Sequence, residues 1–148
     1  MHTEHLQNVS IRRVIAGWLV AIAVASLVAM ALLGAGIMDD DTTAANTRWS
    51  MVAIAVGFFA GGFFAGFRAL QAPVLHAGGI AVTTLAAWVL LNALSTLVFA
   101  GRWQWEAMTP ELAIGVLLVQ LVAAVLGALI GYNMAVRGRP GLGEHEPV

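Results

Sequence analysis

Four long stretches without an ionised side chain, separated by short polar segments, dominate the 148 residues of this chain. The first, residues 14–38 between Arg13 and Asp39, exceeds the roughly 20 apolar residues that a membrane-crossing helix needs. A second run covers 49–67. After a short connection from Arg68 to Ala72, Pro73 supplies a fixed φ and lacks an N–H, which suits the first turn of a new helix over 73–100. Thr109-Pro110-Glu111 combines a capping residue, a helix-starting proline and an acid, and opens a fourth helix over 111–136. The pattern predicts an all-α integral membrane protein: a four-transmembrane-helix bundle over 14–136, with a cytoplasmic segment 1–13 before it and a disordered cytoplasmic tail 137–148 after it. A cleaved signal peptide is the rival reading of helix one, since Arg12 and Arg13 precede it and Gly34, Ala35 and Gly36 end it. Its apolar stretch is longer than the 7–15 residues of a typical signal core.

Orientation follows from the arginines, because cytoplasmic loops retain basic residues. With the N-terminus inside, Arg12, Arg13, Arg68, Arg137 and Arg139 lie on the inner face and only Arg48 and Arg102 on the outer. Trp49, Trp103 and Trp105 are then outer interfacial anchors and Trp18 and Tyr132 inner ones, and the Asp39-Asp40-Asp41 loop faces out.

Composition agrees with immersion in lipid: 60% of residues are hydrophobic and 10% charged, where a soluble domain has roughly 45–50% and about 25%. The spans and connections use up the sequence and leave no room for a soluble catalytic module. Without cysteine there is no disulfide, thiolate metal site or cysteine nucleophile. A net charge of −1 gives no electrostatic reason for a nucleic-acid partner. All seven basic residues are Arg, and with the Ala/Gly-rich usage this points to a GC-rich prokaryotic genome and so to the plasma membrane.

Small residues mark where helices meet. At 100° per residue, Ala53, Gly57, Gly61 and Ala65 form one stripe on helix two, with Phe59, Phe63 and Phe67 opposite as a ridge. Gly62 and Gly66 repeat the GxxxG spacing on an adjoining strip. Such stripes serve packing inside the monomer, a self-association seam, or a groove for lipid or another ligand. On helix three the wheel gathers Gly78, Ala81, Thr84, Trp88, Asn92, Ser95 and Thr96, and on helix four Gln120, Ala124, Gly127 and Gly131. An amide facing lipid without a partner is costly, so both polar stripes face protein. Depths counted inward from the connecting loop match, which predicts an Asn92–Gln120 interhelical hydrogen bond worth about 0.6–2 kcal/mol.

Ion-coupled transport needs an ionisable side chain within the membrane, and every Asp, Glu and Arg here lies at a span end or in a loop. His76, one turn into helix three, is either an ordinary interfacial histidine or, with Arg68, a pH sensor or a holder of a lipid phosphate. It lies 19 residues from Ser95 on the same helix, roughly 28 Å away, so no Ser–His dyad forms. His2, Glu4 and His5, and Glu144, His145 and Glu146, are metal-competent groups in polar tails, and the triple aspartate is either a solvated loop or a weak cation site. No metal, cofactor or catalytic residue is expected.

The segment GFFAGGFFAGFRALQAPVLHAGG at 57–79, with its glycines, Arg68 and His76, resembles the Gly-rich hairpin of small bacterial four-helix membrane proteins of the YrzE type. The resemblance implies a four-helix fold and brings no activity or site residues. The function expected is therefore non-enzymatic: a membrane subunit or assembly protein that packs through glycine-rich faces against itself or another membrane protein. The alternative is a small channel or transporter for neutral or weakly polar solutes lined by Thr84, Asn92, Ser95 and Gln120. An intramembrane enzyme ranks third, because the loops are too short to shape a pocket.

Overall fold

A computed structural model describes residues 9–39, 44–69, 72–98 and 110–138. The chain forms α1 (Ile11–Gly34), α2 (Ala44–Arg68), α3 (Pro73–Val98) and α4 (Pro110–Arg137), with no strand among the described residues. Helices of 24 to 28 residues are about 36–42 Å long, more than the ~30 Å of bilayer hydrocarbon. All four are long and apolar enough to cross a membrane.

Helix ends differ from the ends of the uncharged runs for local reasons. In α1 the helix starts at Ile11, so Arg12 and Arg13 occupy its first turn, where long side chains reach polar surroundings. It stops at Gly34, four residues before Met38, because Gly36 turns to φ +68°. There the N–H of Gly36 bonds to Leu33 O at 3.0 Å and that of Ile37 to Leu32 O at 3.0 Å, the paired bonds of a Schellman cap. The second helix begins at Ala44 rather than 49, since two alanines lead residues 44–48 and the Asn, Thr and Arg that follow are polar but helix-competent. Asn46 in its first turn is buried and donates from Nδ2 to the Asp39 carbonyl at 3.0 Å and to the Asp39 carboxylate, tying down the end of α1.

Contacts between helices follow constant registers. α1 and α3 run parallel, residue n beside residue n+66: Ser10 meets His76 and Trp18 meets Thr84. α1 and α2 are antiparallel, with Gly57 against Ala21 and Ala25, and Gly61 against Gly17 and Ala21. α2 and α4 are parallel, with Gly62 against Ala124 and Gly66 against Ala128. Up-down-up-down topology results, and four of the five described arginines (Arg12, Arg13, Arg68, Arg137) share one end of the bundle. Arg48, Asp39 and Glu111 share the other.

α2 is the centre. Its Ala53–Ala65 stripe takes α1, and the residues that take α4 lie roughly 170° away around the helix by 100° steps. The side expected to be a phenylalanine ridge is therefore a second seam. Gly127 and Gly131 of α4 sit on the backbone carbonyls of Phe59 and Phe63, between the rings, and the rings splay outward. Phe63 and Phe67 stack with centroids 6.0 Å apart. α3 packs through larger side chains, Ile80 filling the space beside Gly17 and Val14 beside Gly79, and makes the least extensive contacts of the four.

A methyl group added at Gly62, Gly66, Gly127 or Gly131 would fall on backbone atoms of the facing helix, well inside 3.0 Å, where no rotamer change relieves it. Gly62→Ala and Gly127→Ala are expected to cost about 2 kcal/mol or more. Gly78→Ala and Gly115→Ala, where nothing lies within 4 Å, leave stability unchanged or raise it by up to about 1 kcal/mol. Unfolding in mixed detergent–dodecyl sulfate micelles checks the contrast, and equal effects at the two classes of glycine would contradict the seam geometry.

Candidate functional site

Polar side chains inside an apolar bundle must find partners, and here they do so at successive levels along α3. At the arginine-rich end, His76 is completely buried, its ring wedged between the starts of α1 and α3. Its Nδ1 lies 2.8 Å from the carbonyl of Ala72, which can only accept. Its Nε2 lies 3.1 Å from the backbone N–H of Ser10, which can only donate. The two bonds define the tautomer: a neutral imidazole with its proton on Nδ1. Ala72 itself has φ +49°, a conformation costly for a residue with a Cβ, and its carbonyl also accepts the His76 N–H at 3.2 Å. The α2–α3 turn and the start of α1 are thus fastened through one ring.

His76 at this end of the bundle is thus sealed between helices, with no exposed edge for a phosphate. Arg68, exposed at the end of α2, instead lays its guanidinium over the Phe64 ring at 4.9 Å. Wheel positions alone gave no signal for the histidine contact, because it depends on how far α1 extends below Val14.

Two turns further along, Trp18 Nε1 donates to Thr84 Oγ1 at 3.0 Å, and that hydroxyl donates to Ile80 O at 3.2 Å. Trp18 lies about 10 Å from the start of α1, and its indole N–H is used inside the bundle. Asn92, buried, donates from Nδ2 to Trp88 O at 2.9 Å, along its own helix.

The expected Asn92–Gln120 bond is absent. Asn92 lies six residues from the end of α3 and Gln120 ten residues from the start of α4. Thr84 and Trp88, which share a cavity wall with Gln120, lie about two turns and one turn from Asn92 along α3. Gln120 faces Thr84 and Trp88 instead. It is 5% exposed, and its Oε1 is fully buried with no hydrogen-bond partner among the described residues. Beside it a cavity of about 90 Å³ opens between α3 and α4, walled by Leu85 and Trp88 on one side and Ala113, Val116 and Leu117 on the other, with Thr84 at its edge. Ser95 is half-buried one turn beyond this group. The Thr96 side chain, Trp103, Trp105, Arg102, Arg139, Asp40, Asp41 and the two His/Glu tail groups lie outside the described residues. No group of three His, Asp or Glu forms among the described residues.

The glycine stripes, read with three possible uses, are filled from within the chain: Ala53, Gly57, Gly61 and Ala65 by α1, Gly62 and Gly66 by α4, with Gly127 and Gly131 answering from α4. Their partners on α1, Gly17, Ala21 and Ala25, went unnoticed in the sequence although their spacing of four is the same signal.

Replacing Trp18 by Phe and Thr84 by Val, singly and together, should give a coupling energy of about 0.6–2 kcal/mol in a double-mutant cycle of unfolding. Additivity within about 0.3 kcal/mol would show that the bond contributes nothing. His76→Leu leaves the Ser10 N–H without its acceptor and should lower stability by about 1–3 kcal/mol. Amide exchange at the first turn of α1 reports the same change as lost protection.

No family model matches the chain, and no curated protein or solved structure matches it either.

Proposed function

We propose that this chain is a non-enzymatic, multi-pass protein of a prokaryotic plasma membrane, with both ends in the cytoplasm, and that it acts as a subunit or assembly factor by contact with another membrane protein or a second copy. The observation that carries this reading is how the seams are used. Both small-residue faces of α2 are occupied by the chain's own helices, so α1, α2 and α4 form a row with its backbone seams already filled. α3 is held least extensively and turns Val82, Val89, Leu90, Leu94 and Leu97 outward, and it is the element left to meet a partner. Orientation is supported by the gathering of Arg12, Arg13, Arg68 and Arg137 at one end of the bundle and of Asp39 and Glu111 at the other.

The second reading, a small channel or transporter for neutral solutes, is favoured by one observation: Thr84 and Gln120 border the same cavity. Against it, Thr84 and Asn92 spend their donors on carbonyls of their own helix.

Absence of cysteine makes the tests clean. In intact cells, a membrane-impermeant maleimide should label Ile37→Cys and leave Gly138→Cys unlabelled until the cells are opened; the reverse pattern would overturn the orientation. A photoreactive group placed at Leu90 or Leu97 should give discrete crosslinked species in membranes, and the same group at Val122 on α4 should not. Equal yields, or adducts to lipid alone at all three positions, would remove support for α3 as the contact element. Proteoliposome uptake of glycerol that falls on Gln120→Leu would favour the transport reading.

A further inference from the structure

The Gln120 amide is an anomaly that the packing does not resolve. Every other buried polar side chain described within the bundle has a hydrogen bond: Asn46 to Asp39, His76 to Ala72 and Ser10, Asn92 to Trp88. Gln120 has its carbonyl oxygen sealed from solvent and without a partner among the described residues, and the side chain borders a cavity whose walls are otherwise almost wholly apolar. A lone amide in such surroundings is costly, and a buried polar group left unmatched points to a missing occupant.

Water is a poor candidate. A buried water needs two to four polar partners, and the cavity offers little beyond Gln120, because the Thr84 hydroxyl already donates to Ile80 and accepts from Trp18. A charged ligand is unsuited as well, since no ionisable side chain among the described residues lines the cavity. An apolar body with one hydroxyl satisfies both features: the hydroxyl pairs with the amide, and the body takes the contacts that Trp88, Val116 and Leu117 offer. At about 90 Å³ the cavity is smaller than the ~150 Å³ that encloses benzene in an engineered protein core, but it is partly open, so a single ring or short chain can enter and leave its remainder outside.

We propose that the α3–α4 cavity is a binding site for a neutral, membrane-soluble molecule that carries a hydroxyl on a ring or short chain, recognised by the Gln120 amide. This goes beyond the interaction role proposed above and rests on it only in assuming that the ligand arrives from the membrane. Which nitrogen or oxygen of the amide faces the ligand follows from rotation of its last torsion, and a hydroxyl can serve either.

The probes are phenol and toluene, alike in size and differing in the hydroxyl. Full-length protein in mild detergent, methyl-labelled on Ala, Val and Leu, is titrated with each and followed by NMR. Phenol should shift the methyl resonances of Ala113, Val116 and Leu117 saturably, with half-saturation at least tenfold lower than for toluene. In Gln120→Met, which keeps chain length and apolar volume, that preference should vanish, while Ala128 in the α2–α4 seam reports an unchanged fold. Should Gln120→Met not fold, Val116→Phe fills the cavity from its wall and should abolish saturation by both probes. Equal affinity for phenol and toluene, a preference that survives in Gln120→Met, or no saturation with either together with a water contact at Gln120, would each overturn the proposal. These outcomes concern only the cavity: the labelling and crosslinking results for orientation and for α3 stand or fall separately.

Discussion

Direct contact between helix backbones on two faces of α2 is the constraint on which the rest of the molecule depends. In lipid the hydrophobic effect does not drive one apolar helix against another, so close approach, dispersion and a few hydrogen bonds must hold a bundle together. α2 satisfies this with small residues facing two directions. α1 settles on Gly57 and Gly61 in antiparallel sense, and α4 settles on Gly62 and Gly66 in parallel sense while offering its own Gly127 and Gly131 in return. In an evenly square bundle, α2 and α4 would be diagonal and well separated. Their intimacy flattens this one and leaves α3 lying across the other helices, beside a gap that is not filled.

The hydrogen bonds make sense within that arrangement. α3 has no glycine seam, so polar side chains fasten it: Trp18 to Thr84 across to α1, and the His76 ring between the Ser10 amide and the Ala72 carbonyl. Both use the same register offset, so they lock one relative position of α1 and α3. Toward α4, Gln120 stands beside the cavity with its carbonyl oxygen unmatched among the described residues. Three helices thus meet backbone to backbone through α2, and α3 packs on them through side chains, with a small recess between α3 and α4.

Much of the fold was legible because membrane spans are written in single residues: an arginine or aspartate ends an uncharged run, and four such runs became four helices. Helix ends were less legible. An uncharged run marks only the apolar part of a helix, whereas Ile11–Arg13 and Ala44–Arg48 are helical beyond it and Gly36 ends α1 within it. Faces were readable from the wheel, register was not. The stripe Ala53–Ala65 was visible, but a wheel cannot say that α4 glycines would lodge among Phe59, Phe63 and Phe67, nor that Gln120 would stand opposite Trp88 instead of Asn92. The partner of His76 was hidden for a related reason: its Nε2 accepts from Ser10, a residue before the first predicted span.

The most direct test of the central geometry is a thiol crosslink made in the membrane. Phe59 and Leu126 are both exposed and flank the α2–α4 seam in one cleft, whereas Leu19 is exposed on α1 across the opposite face of α2. With a protease site inserted between the paired positions, the two fragments of Phe59→Cys/Leu126→Cys should stay joined by a short thiol crosslinker after cleavage, and those of Phe59→Cys/Leu19→Cys should separate. Separation of the first pair, or equal joining of both, would contradict the placement of α1 and α4 on opposite sides of α2.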